Sequence, residues 1–278
     1  MKVGLAAVAV VAISAFVSPA QAAPDAARLA AAQEAQERGA EMFAYDQAAW
    51  HATDKFRADM AAAGKQGAGA GLALNGYVVE PQDGARLLVS FYGEVGGRLV
   101  ARARYRVAEN RDVEGGLLAE GEDAVLSPVA LRMIAARDLA MHRMQQPGHG
   151  LCSKSPANTL VLPPRADGVI PAYVMTSTVN AKEFPAGGHY RFDIALDGTL
   201  KSERGFTNSC FPIAIGKRKD RTEAVFMTHL LDSQPTEIHA FVSRNIPFPL
   251  IVIIVSNGEI WSSSNGDIAF VSDVSALK

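Results

Sequence analysis

The alternation of apolar and polar residues predicts an α+β fold, with antiparallel sheets and packed helices preceded by an N-terminal helical segment. Residues 23–63 are rich in Ala, Gln, Glu and Arg, which favour helix, and Gly39 is expected to break that helix. After residue 71, short alternating apolar stretches are separated by Gly, Pro, Asn and Asp, as is typical of strands joined by turns. Between them, the sequence GKQGAGAG at residues 64–71 is predicted to be a flexible linker.

Residues 72–278 are predicted to form one α+β domain whose first part, residues 72–125, is rich in strands. Its third strand covers residues 98–107 and carries an unusual number of basic side chains on one face. The residues of this face are Arg98, Arg102, Arg104 and Arg106. Such a face is a candidate binding surface for an anion or an acidic polymer. The alternative is a solvated face paired with acidic residues of the neighbouring strands, which is the commoner arrangement.

The second part of the domain, residues 126–278, is predicted to combine a helix with further sheet. Ser127 is a suitable helix cap and Pro128 suits the first helical position, so a helix is expected to run from there to about Arg143. Asp197-Gly198 is a strong signal for a hairpin turn between two of the strands that follow.

The most regular pattern of the chain lies at residues 223–261. A predicted strand ends at His229, and a short helix opened by Pro235 carries His239. The apolar run at residues 250–255 is expected to be a strand buried on both faces, and an Asn-Gly turn follows it.

This order of strand, histidine, helix and apolar strand resembles the core of the JAMM/MPN metalloprotease fold. In that family a His-x-His pair ends a strand and a Ser-x-x-Asp follows on a helix. Here the pair would be Met227-x-His229 or His229-x-Leu231, so one histidine is missing in either register, and His239 stands near the family's aspartate. The resemblance therefore implies the fold without the family's full metal-ligand set.

The first 22 residues have the features of a cleaved signal peptide. Lys2 supplies a positive start, an apolar stretch follows, and Ala20-Gln21-Ala22 is an A-x-A cleavage site, so the mature chain is expected to begin at Ala23. An uncleaved anchor is the alternative. No later segment is apolar enough to predict a membrane span, so we expect a periplasmic or secreted protein that is not an integral membrane protein.

The two cysteines, Cys152 and Cys210, are predicted to form a disulfide. An even cysteine count in an exported chain favours pairing, and the bond would close a loop of about 58 residues. A free nucleophilic cysteine beside a histidine is the alternative.

Candidate chemistry rests on three histidines, His189, His229 and His239. Histidine is a preferred zinc ligand, and these three could assemble from a strand start, a strand end and a helix. Their spacing matches no known ligand pattern, so a polar cluster that links helix to sheet is the favoured interpretation. Trp50 and His51 could form a binding pair, but packing against the domain is preferred.

The sequence thus favours an exported, non-enzymatic protein that binds another molecule, with no resident cofactor. A metal-dependent hydrolase using His189, His229 and His239 is the alternative, with zinc as its metal. Nucleic acid is not an expected partner, because the net charge is −2 and the sequence has no block of basic residues of the kind that binds nucleic acid.

Overall fold

The computed structural model describes residues 23–65, 72–119, 122, 124–215 and 223–277. The predicted signal peptide and residues 66–71 of the predicted linker lie outside these ranges. The helices are α1 (Ala26–Ala62), α2 (Pro128–Arg143) and α3 (Glu237–Asn245). The strands are β1 (Gly76–Gln82), β2 (Arg86–Val95), β3 (Arg98–Val107), β4 (Val113–Leu117), β5 (Asn158–Val161), β6 (Val169–Met175), β7 (Glu183–Pro185), β8 (Tyr190–Ala195), β9 (Leu200–Gly205), β10 (Pro212–Ala214), β11 (Val225–His229), β12 (Leu250–Ile254), β13 (Glu259–Ser264) and β14 (Asp267–Asp273).

The described strands form three four-stranded sheets and one small pair. The first sheet has the order β1-β2-β3-β4 and the second the order β5-β6-β8-β9, and both are antiparallel throughout. The third has the order β11-β12-β13-β14, in which only the β11–β12 contact is parallel, while β7 and β10 pair separately. The predicted α+β fold with antiparallel sheets and an N-terminal helix is therefore confirmed.

Helix α1 is unbroken, so the predicted interruption at Gly39 is wrong. Glycine is needed at this position for packing, because α3 crosses α1 there. A Cβ atom on residue 39 would lie 2.8 Å from the Glu237 carbonyl oxygen and would clash with the Ala240 side chain. The missing side chain thus lets two helices approach closely, at a cost in helix propensity that the remaining turns of α1 tolerate.

Two apolar cores lie on either side of the second sheet. The larger core joins α1 and α3 to side chains from all three large sheets, including Met42, Tyr105, Tyr173 and Trp261. The smaller core packs α2 against the outer faces of the first and second sheets, around Met133. Because α1 contributes to the larger core, the N-terminal helix shares its apolar contacts with residues of the 72–278 region.

The unbroken apolar sequence of β12 predicts a strand buried on both faces, and this prediction is wrong. Leu250, Val252 and Ile254 are buried, whereas Ile251 and Ile253 are only half-buried. Helix α3 connects β11 to β12 on one side of the sheet, as a parallel pair requires, and leaves the other face open. No helix within the described ranges is long and apolar enough to cross a membrane.

Candidate functional site

The disulfide between Cys152 and Cys210 is present, which confirms the predicted pairing. It joins the loop after α2 to the segment between β9 and β10, with Cα atoms 5.4 Å apart. Both sulfur atoms are therefore committed to a structural bond, and neither cysteine serves as a free nucleophile in this structure.

His229 and His239 are brought together, as the order of their elements predicts. Their rings meet edge to face with centroids 4.7 Å apart, and both side chains are buried. His239 Nδ1 accepts a hydrogen bond from the Thr236 backbone N–H at 2.9 Å, which caps the start of α3. Burial, together with the electrostatic influence of His229, lowers the pKa of His239 to about 3, so its ring is neutral near pH 7.

Asp232 links this histidine pair to the second sheet. His229 Nε2 lies 2.8 Å from the Asp232 carboxylate, and the Arg204 guanidinium donates two hydrogen bonds to it at 2.7 and 2.9 Å. Burial alone would raise the pKa of Asp232, but the bonds from His229 and Arg204 outweigh it and hold that pKa below its usual range. Asp232 is thus fully paired within the protein.

A second buried ion cluster surrounds Glu237, the first residue of α3. Glu237 is 5% exposed; it accepts a hydrogen bond from Arg191 Nη1 and another from the Tyr173 hydroxyl at 3.1 Å. Arg38 of α1 lies 3.7 Å away, and Arg191 also pairs with Asp193 at 3.2 Å. The cluster therefore ties α3 to both α1 and the second sheet.

His189 makes its hydrogen bond to a different part of the protein from the His229–His239 pair. It is 2% exposed, its Nε2 donates to the Pro185 carbonyl at 3.0 Å, and burial lowers its pKa to about 4. Across the described residues, no group of three or more His, Cys, Asp or Glu side chains is arranged to hold a metal ion. The three-histidine zinc site stays a hypothesis from the sequence.

The four arginines of the β3 face have different surroundings. Arg98 and Arg102 line a cleft of about 690 Å³, and Arg104 donates to the Val125 carbonyl. Arg106 is exposed and stands opposite Glu114 of β4 in the sheet register. Anion binding by this face stays a prediction.

A different set of arginines lines a cleft between α1 and one end of the first sheet. This cleft, which we call the arginine cleft, has a volume of about 540 Å³. One wall is a stripe of α1, and the other is formed by the β1–β2 turn, the segment after β3 and the end of α3. Its polar lining residues are Gln47, His51, Gln82, Arg86, Glu109, Arg111 and Arg244, and its apolar lining includes Phe43, Tyr45, Pro81 and Leu87.

The cleft is positively charged and contains polar groups without partners. Three arginines face one glutamate, and Arg86 and Arg111 make no ion pair with any described residue. Arg244 Nε and His51 Nε2 are buried and have no hydrogen-bond partner within the described ranges. Arg244 Nε lies against Gly266, where an added Cβ atom would be 2.1 Å away, so the groups of the cleft that are open to a bound molecule are the exposed Arg86 and Arg111.

Two of the three described non-glycine residues with positive φ line the same cleft. The described non-glycine residues with positive φ are Ala85 (56°), Arg111 (71°) and Asn265 (49°). Ala85 and Arg111 line the cleft, whereas Asn265 lies in the Asn-Gly turn between β13 and β14, where a positive φ is common. Strained backbone of this kind persists where the surrounding structure holds it, and it is common at binding sites.

Trp50 does not pack into the domain, so the preferred interpretation of that residue was wrong. Its side chain is 55% exposed and stacks on His51, with ring centroids 5.2 Å apart. His51 lines the arginine cleft, and Trp50 lines a separate cavity on the other side.

The arginine cleft could not be predicted from the sequence, because its residues come from four distant parts of the chain. Arg86, Arg111 and Arg244 belong to unrelated local patterns, and only the fold brings them together opposite α1. Comparisons with protein-family models, with curated proteins and with solved structures each found no match.

Proposed function

We propose that this protein is an exported binding protein that holds a small organic anion in the arginine cleft. The observation that carries the proposal is the charge of the cleft lining, in which three arginines face one glutamate and Arg86 and Arg111 make no ion pair with any described residue. A carboxylate or phosphate group matches arginine donors in both charge and geometry.

The shape of the cleft favours a ligand with an apolar body. Its volume of about 540 Å³ is within the usual range for small-molecule sites, and Phe43, Tyr45, Pro81 and Leu87 supply apolar surface. The Arg244 guanidinium also lies 5.8 Å from the centre of the Phe43 ring, which helps to hold the arginine in place.

Export is supported by the disulfide and by the predicted signal peptide. A disulfide persists in oxidising compartments, such as the periplasm or the outside of the cell. N-terminal sequencing of the protein recovered from those fractions is expected to begin at Ala23. Recovery of a chain that still starts at Met1 would contradict export by cleavage.

The metal-dependent hydrolase is the alternative function, and the JAMM/MPN resemblance stays with it as a proposal. The strand–helix–strand order behind the resemblance corresponds to β11, α3 and β12, with His229 and His239 at the junction. Metal analysis of untagged protein separates the two functions. Stoichiometric zinc that is lost in a His239→Ala variant would favour the hydrolase.

The binding proposal is tested with phenyl phosphate and benzoate as probes and benzyl alcohol as their neutral analogue. Isothermal titration should show saturable one-to-one binding of at least one anion and none of the alcohol. Raising the salt concentration should weaken the binding, since Arg86 and Arg111 are exposed to solvent.

A double variant removes the two exposed arginines without disturbing the core. Arg86→Gln keeps the length of the side chain, and Arg111→Asn suits the positive φ at that position. We expect the anion affinity to fall by about tenfold or more. The matched control, Arg57→Gln, changes an exposed arginine of α1 that does not line the cleft and should bind normally. Unchanged affinity in the double variant would refute the proposal.

A further inference from the structure

A second cavity, distinct from the arginine cleft, lies on the other side of the Trp50–His51 pair. This cavity, which we call the His189 cavity, has a volume of about 350 Å³ and is enclosed by α1, β6, the β7–β8 region and the end of α3. Its polar lining residues are Asp46, Gln47, Asn158, Thr176, Thr178, His189 and Asn245, and its apolar lining is Trp50, Met175, Phe184 and Phe241.

Three polar side chains of this cavity donate hydrogen bonds to other groups of the protein. Asn158 Nδ2 donates to Asp46 at 3.2 Å, and Asn245 Nδ2 donates to the Phe241 carbonyl at 2.9 Å. His189 Nε2 faces the Pro185 carbonyl, which can only accept, so the ring hydrogen sits on Nε2 and Nδ1 is an acceptor. Nδ1 is buried and has no partner among the described residues.

The charge balance of the cavity lining is the reverse of that of the arginine cleft, with one acidic side chain and no lysine or arginine. The acidic side chain is Asp46. Burial raises the pKa of Asp46, while hydrogen bonds from Asn158 and Gln47 oppose that effect. A carboxylate that is costly to keep ionised in the empty cavity would be stabilised by a bound cation.

The exposed indole of Trp50 completes the recognition surface. One face stacks on His51, and the ring lines the His189 cavity while remaining 55% exposed. Tryptophan is the strongest aromatic partner for a cation and a common platform for flat ligands. An exposed tryptophan over a buried acceptor group is therefore a suitable entrance for an organic cation.

We infer that the His189 cavity binds a small organic cation that carries N–H donors on a flat apolar body. An amidinium or guanidinium group would donate to Asp46 and to His189 Nδ1, and the flat body would stack on Trp50. The cavity is large enough for a ligand of that size and takes opposite charge from the arginine cleft.

Three matched probes separate charge from hydrogen bonding. Benzamidine is a flat cation with N–H donors, benzamide has the same shape without the charge, and phenyltrimethylammonium has the charge without N–H groups. Calorimetry with the full mature protein should show one-to-one binding of benzamidine. Both other probes should bind about tenfold or more weakly, since each lacks one part of the charged hydrogen bond.

Variants locate the binding in this cavity. Asp46→Asn removes the charge but keeps an acceptor for Asn158, and benzamidine affinity should fall by about tenfold or more. Asp54→Asn is the matched control, because Asp54 is an exposed acid of the same helix that does not line the cavity. The Arg86→Gln/Arg111→Asn variant should bind benzamidine normally, which separates this site from the arginine cleft.

Several outcomes would overturn the inference. They are the absence of saturable benzamidine binding, equal affinity for benzamidine and either other probe, and unchanged affinity in Asp46→Asn. If circular dichroism shows that Asp46→Asn does not fold, Trp50→Ala decides the question, because Trp50 is exposed and its removal leaves the core intact. Unchanged benzamidine affinity in Trp50→Ala would then refute the proposed site.

Discussion

At the scale of single residues, the polar side chains in the interior divide into satisfied and unsatisfied groups. Glu237, Arg191, Asp232 and Arg204 have charged partners and hydrogen bonds, so they hold elements together. His189 Nδ1, by contrast, lacks a partner within the described ranges and lines a cavity. A buried atom without a partner is a candidate binding group only where it also lines a cavity, because Arg191 Nε of the Glu237 cluster lacks a partner as well.

Replacing Glu237 by alanine is expected to destabilise the protein strongly. The variant would leave Arg191 in the interior without its main counter-ion and the Tyr173 hydroxyl without its acceptor. Breaking a buried pair in this way typically costs about 3–5 kcal/mol. Urea unfolding monitored by circular dichroism measures the change in the free energy of unfolding.

Asp54→Ala is the control for Glu237→Ala. Asp54 and Arg57 form an exposed pair on α1 at 3.4 Å, and pairs of this kind contribute little to stability. Similar unfolding midpoints for the two variants would show that the Glu237 cluster is not a stabilising contact.

The sequence predicted some of these residue contacts and could not predict others. The approach of His229 to His239 follows from a strand, a short connection and a helix, and all of these signals are local. The contact between Arg191 and Glu237 joins residues 46 positions apart on different elements, and nothing in either local pattern indicates it. Cys152 and Cys210 were predictable despite their separation, because they are the two cysteines of the chain.

At the scale of elements, the crossing of α1 and α3 depends on Gly39. A glycine in the middle of a helical pattern is ordinarily a sign of a break or a weak helix, and that reasoning failed here because packing overrode propensity.

The apolar run of β12 led to a second wrong prediction, that the strand is buried on both faces. A continuous apolar sequence does not tell whether the second face of a strand is covered, and here Ile251 and Ile253 are only partly buried.

Gly39→Ala is expected to lower the free energy of unfolding by about 1–3 kcal/mol through overpacking. The new methyl group would meet the Glu237 carbonyl and the Phe241 backbone nitrogen, at 2.8 and 3.1 Å, and backbone atoms of a packed helix cannot easily move away. In an exposed helix the same change would stabilise by up to about 1 kcal/mol, so the sign of the effect is diagnostic.

Gly150→Ala provides the comparison for Gly39→Ala. A Cβ atom at residue 150 meets nothing within 4 Å, and its φ is not positive. This variant should be neutral or slightly more stable, because alanine restricts the unfolded chain. A stabilising effect of Gly39→Ala in the same unfolding assay would refute the close helix crossing.

At the scale of the whole molecule, buried neutral histidines make stability depend on pH. The pKa of His189 is lowered to about 4 and that of His239 to about 3, both mainly by burial. Below about pH 6.5, the unfolded chain binds protons at both histidines, whereas the folded protein does not until the pH approaches those lower values. The contribution of the two neutral histidines to the free energy of unfolding is therefore complete above pH 6.5 and is lost as the pH falls. In stronger acid, protonation of Asp232 lowers the free energy of unfolding further.

Unfolding measured at pH 7 and at pH 5 is expected to show a loss of roughly 2–4 kcal/mol at the lower pH. The variant His239→Asn keeps an acceptor near the Thr236 N–H but cannot take up a proton in this range. The free energy of unfolding of this variant should depend less steeply on pH, because about one proton fewer is taken up on unfolding. An identical pH slope in the variant and the parent protein would contradict the assignment to His239.

The disulfide is expected to stabilise the whole fold while leaving the arginine cleft unchanged. It links residues 58 positions apart, and the chain-entropy model gives about 4 kcal/mol for a loop of that length. Reduction, or the double variant Cys152→Ala/Cys210→Ala, should therefore lower the free energy of unfolding by about 2–5 kcal/mol.

Neither cysteine lines the arginine cleft, so the reduced protein, kept below its unfolding temperature, should bind the anionic probe with unchanged affinity. Two thiols open to alkylation in the native, non-reduced protein would contradict the bond itself, and a loss of anion binding on reduction would show that the cleft depends on it.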